Sequence, residues 1–371
     1  MKKFSPLFLF TLGLFPVLSL GAEHIAPFTM PSARAGGFGG IHTALGDDFS
    51  SIFSNPASFA GIERQFSAAE ISLSVYGPIF EILDRTVNSK GAPDISSLPR
   101  LQDFGAGFDL GGPIAIGLVD RGFGFGLFNR TVADAVVREK TIYPVLSEEI
   151  FMTGGFSFRV LEGDTHLVDL GFLAKAFFRG RLGLSGSVGD LSEITTGAAS
   201  SPYSTQFGIG LDLGIRYTLM DHLCLALTGY DVYSPALVTR YAEISDRGSG
   251  GTQSYATVTP RLALGALYRI QNDFLDRYIT GAIVMLDYRD FIDPFSTDPR
   301  NPLLNLTLGM EITMMRILRI RAGMADVLPS FGFGLDMHAL TLDVAVRGKE
   351  LGKNPGDNRT FAFDLGLLFR Y

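Results

Sequence analysis

Tryptophan is absent from this 371-residue chain, cysteine occurs once, and charge is scarce. Beyond the N-terminal segment no uninterrupted apolar run reaches the roughly 20 residues that a transmembrane helix needs, so helical membrane spans are excluded. The lone Cys224 excludes an internal disulfide framework and reads as a small buried apolar residue. No Cys/His spacing would make a zinc site, and the five histidines, His24, His42, His166, His222 and His338, show no ligand pattern. Charged residues make up 19% of the chain, whereas soluble domains average about 25%. Mean hydropathy is correspondingly positive, at +0.24. The net charge of -7 is spread along the chain. With no Lys/Arg cluster and no basic patch interleaved with aromatics, nucleic acid is excluded as a partner. Neither a nucleophile elbow nor a paired-acid arrangement stands out, so no catalytic residue is assigned. The glycines at 36 to 40 do not form a phosphate loop, because no lysine follows and no strand precedes them. No motif for a cofactor is present.

What the chain does have is 44 Gly, 31 Phe and 12 Tyr. At its start, Lys2 and Lys3 precede an apolar stretch from Phe4 to Leu20, followed by Gly21-Ala22. A basic region, an apolar core and a small-residue cleavage site define a signal peptide over residues 1–21. Pro6 and Pro16, and a short apolar length, weigh against a membrane anchor.

Strict alternation over segments of about ten residues sets the fold class. Phe207, Ile209, Leu211, Leu213, Ile215 and Tyr217 alternate with Gln206, Gly208, Gly210, Asp212, Gly214 and Arg216. Phe104 to Leu110, Leu304 to Ile312 and Phe361 to Tyr371 repeat the pattern. An open soluble sheet would fill its polar face with Lys, Glu and Thr; here that face is largely glycine, which weakens a strand unless something must approach closely. An all-β transmembrane antiparallel barrel explains both faces: lipid meets the apolar one, and a filled lumen needs the glycines. Fifteen candidate segments occur between Phe66 and Tyr371, with halves of one strand among them. Even closure gives fourteen strands over 66–371. Long loops are expected over 77–101, 180–204, 233–258 and 290–302, with a short amphipathic helix at 79–87 in the first.

Residues 22–65 do not read as wall. Asp47 is placed to cap a short helix over 48–54 carrying Phe49, Ile52 and Phe53 on one face, which Asn55-Pro56 stops. The pattern Gly37, Gly39, Gly40, then Asp47 and Asp48, then Asn55, Pro56 and Ala57 just ahead of the first strand resembles the long-chain fatty acid transporter family (FadL-like barrels) and its secretion-associated, PorV-like relatives. The chain also ends on Gly366, Phe369 and Tyr371 at strand spacing, similar to the insertion signal read by the barrel-assembly machinery. The resemblance touches both ends, about a fifth of the chain.

It implies a fourteen-strand barrel in the bacterial outer membrane, in contact with its lipids, with residues 22–65 as a hatch in the lumen. It also implies passive uptake of a hydrophobic small molecule such as a long-chain fatty acid. The relatives equally imply a scaffold or shuttle that holds a protein partner. Inward charges, Asp212, Arg216, Arg319 and Arg321 foremost, either line a polar path or pair with one another and with the hatch.

Overall fold

The computed structural model describes residues 23–78, 104–138, 141–187, 197–248, 250–270, 279–296, 298–337 and 339–370. The signal peptide, the helix expected at 79–87 and Tyr371 lie outside them.

Fourteen antiparallel strands close into a barrel. They are β1 (Gln65–Gly77), β2 (Phe104–Asp120), β3 (Phe123–Arg138), β4 (Thr141–Glu162), β5 (His166–Gly183) and β6 (Tyr203–Leu219). Then come β7 (Leu223–Tyr233, continued by Pro235–Tyr241), β8 (Thr252–Val258, continued by Arg261–Ile270), β9 (Ile279–Tyr288) and β10 (Leu306–Met314). The last four are β11 (Leu318–Ala325), β12 (Leu328–Asp336), β13 (Leu340–Glu350) and β14 (Arg359–Arg370). Each pairs with the next, and β14 closes on β1 from Phe361↔Gly77 to Arg370↔Ser67. Among the described residues no helix is long and apolar enough to cross a membrane.

Three local expectations change. Segments 102–111 and 114–119 are one strand, β2, bulged where Gly112-Pro113 interrupts its ladders. This merger brings fifteen segments to fourteen. Of the loop expected over 233–258, Pro235–Tyr241 and Thr252–Val258 form the upper parts of β7 and β8, and only 242–251 is left as a connection. There the apolar phase is inverted, because Ala236, Val238, Ala256 and Val258 are buried inward while Gln253 and Tyr255 on the opposite face are exposed. Leu304 is not a wall residue. It is fully buried in a 3-10 turn, Pro302–Asn305, and β10 begins two residues later.

The outer face carries exposed Ile150, Met152, Phe156, Phe172, Phe207, Ile209, Leu213, Ile215, Leu286, Leu308, Phe333 and Phe363, a belt that only lipid can cover. One end closes in tight turns at 121–122, 163–165, 220–222 and 315–317, and the other carries the long connections 184–202, 242–251 and 289–305. Short turns mark the periplasmic end of such barrels. The wall is uneven. β4 has 22 residues and β11 has 8, which at roughly 3.3 Å per residue is a difference of more than twofold in strand length.

A lysine at Leu213, near the middle of β6, is expected to cost about 2–4 kcal/mol in reversible unfolding from vesicles. Unchanged stability of Leu213→Lys would show that this face does not meet hydrocarbon.

Candidate functional site

Residues 26–64 lie inside the barrel, touching opposite walls. α1 (Ala33–Gly37) packs on β12, β13 and β14, and a 3-10 helix, Pro56–Gly61, packs on β4, β5 and β6. Ser32 caps α1, its Oγ accepting from Ala35 N at 3.2 Å. The chain then turns through Gly39 (φ 87°) and Gly40 (φ 152°), a backbone region that glycine occupies without strain. A Cβ on Gly39 would fall 2.8 Å from the Met324 backbone, and one on Gly37 would fall 3.0 Å from Gly332 Cα.

The acidic pair is shifted by one residue from expectation. Asp48, not Asp47, caps the helix, which is a 3-10 turn over Phe49–Phe53; its side chain accepts from Ser50 N at 2.9 Å. Asp47 is free to pair with Arg34 Nη2 at 2.7 Å, and Arg34 Nη1 also pairs with Asp48. The Asp47 side chain is 42% exposed, and the Arg34 guanidinium beside it holds its carboxyl below the ordinary range, at about 2. A carboxyl depressed from the ordinary value near 4 stabilises the plug above that pH, and the contribution is lost as the pH falls toward 2.

Asn55 ends the first turn and starts a second, Pro56–Gly61, that periodicity did not indicate. Its Oδ1 accepts from Ala57 N at 2.9 Å and its Nδ2 donates to Ile215 O of β6 at 3.3 Å. The wall opposite is glycine. A Cβ at Gly214 would lie 2.0 Å from Asn55 Oδ1, and one at Gly171 would lie 2.4 Å from Ala57 N. Gly117 and Gly124 leave equivalent room for the rings of Phe49 and Phe59, and Gly323 for Phe38. These inward glycines sit where the plug approaches the wall.

The inward charges are paired or packed. Asp212 meets Lys175 at 2.7 Å. Arg321, 1% exposed, reaches Glu311 at 2.7 Å and also Asp343, with its guanidinium over the Phe38 ring. Arg319 pairs with Asp336 at the periplasmic end. Arg216 Nε lies 3.1 Å from Cys224 Sγ, beneath Gly46 and Gly61. Gly366 lies against Ala33 of α1, and Phe369 faces outward on β14.

Sequence reasoning missed three groups. His42, fully enclosed, pairs through Nδ1 with Asp287 of β9 at 2.8 Å, and Thr43 N donates to the same carboxylate at 2.6 Å. Arg34, as above, clamps the acidic pair. Phe128, Phe151, Leu173 and Phe177 face inward and meet plug rings, Phe53 on Phe128 at 4.8 Å and Phe28 on Phe177 at 4.2 Å. The signal for the last group was the loss of alternation at Ile150-Phe151-Met152 and Phe177-Phe178, where both faces of a strand are apolar.

Above the plug a cavity of about 360 Å³ opens toward the long loops. Phe28, Ile52, Phe53, Phe151 and Leu173 line it together with the cations Arg130, Lys175, Arg261, Arg289, Arg347 and Lys349 and the carboxylates Asp109 and Asp212. Four of these cations have carboxylate partners. Arg261 and Lys349 lie instead over the rings of Tyr230 and Tyr76, with no ion-pair partner among the described residues.

A closed fourteen-strand transmembrane β-barrel with an apolar lipid-facing belt and a plugged lumen is the class that fold and site define. No protein-family model matches the chain, and no curated protein does either. Among solved structures it is similar to a Pseudomonas aeruginosa FadL homologue at 13% identity, with 94% of this chain and 99% of that one covered and a TM-score of 0.47. It is similar also to the Ralstonia pickettii toluene transporter TbuX at 12% identity, with coverage of 94% and 98% and a TM-score of 0.48. A TodX deltaS2S3 mutant monoaromatic hydrocarbon channel gives 13%, 92%, 98% and 0.48 in the same order. The architecture rests on this chain's own strand ladder.

Gly214→Val is expected to displace the Asn55–Ala57 turn, so that limited proteolysis cuts within 50–62 while the barrel keeps its heat-dependent gel shift. Asn55→Ala, which loses a cap worth about 1 kcal/mol, is expected to act more mildly. Equal protease resistance in wild type and Gly214→Val would refute the close fit.

Proposed function

We propose that the protein is an outer-membrane channel for passive uptake of hydrophobic small molecules through a barrel gated by its N-terminal plug, and that its ligands are long-chain fatty acids. The observation that carries this reading is the amphipathic lining of the cavity above the plug. A pocket within the usual 300–1,000 Å³ range of ligand sites, lined by apolar rings and by six cations, suits an acyl chain with a carboxylate head. A neutral aromatic hydrocarbon would leave Arg261 and Lys349 without a direct ion-pair partner.

A way past the plug is suggested by the wall. The β1–β2 ladder lacks pairs between Ser67↔Gly117 and Ser72↔Gly111, and Met30 and Pro31 of the plug stand against Gly111 there. A bulge disrupts the ladder locally, so fewer backbone hydrogen bonds oppose an opening there.

Labelled oleate should enter liposomes carrying the refolded protein faster than empty liposomes, and the Arg261→Ala/Lys349→Ala variant should slow oleate more than toluene. Removing residues 22–60 should leave a heat-modifiable barrel with raised permeability. No uptake above empty liposomes by a folded barrel would overturn the channel reading and favour a scaffold that holds a protein partner.

A further inference from the structure

The wall is too short on one side. A strand that crosses a bilayer at a tilt near 45° needs about 9–11 residues. β10, β11 and β12 have 9, 8 and 9 residues, whereas β4 on the opposite side has 22. On the long side the outer face turns polar well before the strands end: exposed Glu148 of β4 accepts from Thr131 Oγ1 of β3 at 2.5 Å, and Ile150, Met152, Phe156 and Phe158 follow beneath it. On the short side the strands end before any polar edge is reached. Every outward position is apolar from Leu306 to Met314, from Leu318 to Met324 and from Pro329 to Leu335. Apolar side chains continue into the turns at both ends, with Met315 and Ile317 exposed at the periplasmic side and Val327 exposed at the tip of the β11–β12 hairpin.

Above β9 and β10 the apolar surface runs on into the connection 289–305, where Phe291, Ile292, Phe295 and Leu303 are exposed, Phe295 by 87%. Phe291 packs on Tyr288 with ring centroids 4.5 Å apart, and its N donates to Leu262 O at 2.8 Å, so this crest is fixed to β8 and β9. Its polar groups find partners within the protein. Asp290 Oδ1 accepts from Ile292 N at 2.9 Å, and Asn301 Oδ1 accepts from Leu303 N at 3.1 Å. The Asp293 carboxylate accepts from Arg300 N at 3.2 Å and from Asn305 Nδ2 at 3.0 Å. Arg289 and Arg300 both reach Asp326 at the β11–β12 tip, at 2.6 and 3.8 Å, and Asn301 N donates to Lys353 O at 2.9 Å. The connection is thereby braced across the low hairpin to the one after β13. It satisfies its own polar groups, as backbone beside hydrocarbon must.

We propose that the crest is a membrane-docking surface, with Phe291, Ile292, Phe295 and Leu303 seated among the acyl chains of the outer leaflet. There they supply the apolar height that the short strands lack. Lipid is the occupant because the crest continues the outward Leu286 and Leu308 of the strands directly below it, which already face lipid. A contiguous exposed apolar patch marks a contact surface, and aromatic residues girdle such barrels at the membrane edge. The barrel then stands with its short side sunk to the level of its loops and its long side, above Glu148, projecting from the membrane. Tyr255 of β8, 83% exposed, supplies the contrast. It lies beyond Leu262 by roughly 20 Å at about 3.3 Å per residue, on the projecting part. The inference does not depend on what the barrel transports.

The test uses the full-length protein in phosphatidylcholine nanodiscs holding one barrel each, with bimane on Phe295→Cys, Leu303→Cys, Leu286→Cys or Tyr255→Cys. Cys224 is buried, and wild type carried through the labelling serves as the blank. The two crest labels should be quenched by lipid spin-labelled high on its acyl chain and shielded from iodide, as the belt label at Leu286→Cys is shielded. The label at Tyr255→Cys should be quenched by iodide alone. Wild type needs no substitution for the second measurement: under hydroxyl-radical footprinting in the same discs, Tyr255 should be oxidised and Phe295 spared. Iodide quenching at the crest as strong as at Tyr255→Cys, with oxidation of Phe295, would overturn the docking and leave the crest in water, open to a soluble partner. Iodide access in one-barrel discs that is lost in two-barrel discs without quenching by lipid would overturn it in favour of a second copy of the chain.

Discussion

Every feature of this molecule follows from one constraint: a backbone in hydrocarbon has no water to bond, so each N–H and C=O in the span must find a partner within the protein. The pairing of β14 with β1 meets that demand by removing the last free edges. Once the wall is closed, its circumference fixes a lumen too wide for side chains alone to fill. The chain fills it with its own residues 26–64. The inner surface must then be shaped to a folded segment rather than to water, and this accounts for the inward glycines at 117, 124, 171, 214 and 323, each placed where a plug atom would overlap a Cβ.

The same constraint explains the charges. A lumen lined by apolar side chains on every side would compete with the outer face for lipid and blur which face is which; inward charge fixes the orientation of each strand. Taking such groups from water costs several kcal/mol apiece unless they are paired. The pairs are accordingly made across strands or between plug and wall, as in Arg321 with Glu311 and Asp343, and His42 with Asp287. Arg321 Nη2 and Arg34 Nε remain buried without a partner among the described residues. Both belong to guanidiniums that already serve two carboxylates each.

The barrel was legible in the sequence because one physical contrast, lipid against lumen, repeats at every second residue. β6 reads directly: Phe207, Ile209, Leu213 and Ile215 are exposed, and Gln206, Asp212 and Arg216 are buried. Legibility failed where the contrast weakens. At Pro235–Tyr241 and Thr252–Val258 the apolar side faces the lumen, so strands resembled a loop. At Phe151 and Phe177 both sides are apolar, and periodicity alone could not assign a face. Pairs such as His42–Asp287, 245 residues apart, leave no local signal at all, since only closure of the barrel brings them together. The one-residue error at Asp47 has a different cause. Either acid could cap, and the choice is decided by Arg34, which holds Asp47 away from the helix.

The two sides of the plug are built from different chemistry, and this sets the direction in which it separates most cheaply. Toward β2–β5 it buries Phe49, Ile52 and Phe59 against Ala115, Val119, Phe128 and Leu173 in one apolar cluster. Exposing such a side chain to water costs about 1.5–3 kcal/mol. Toward β12–β14, α1 meets the wall through Gly36, Gly37 and Ala33, with Ser330 Oγ donating to Gly37 O at 3.2 Å. Little apolar area is lost there on parting, and the hydrogen bonds are exchanged for water at a net cost of about 0.5–1.5 kcal/mol each. The plug is therefore anchored by its aromatic side, to which Ile25, Phe28 and Met30 ahead of α1 also belong, and parts most cheaply on its glycine side, at α1.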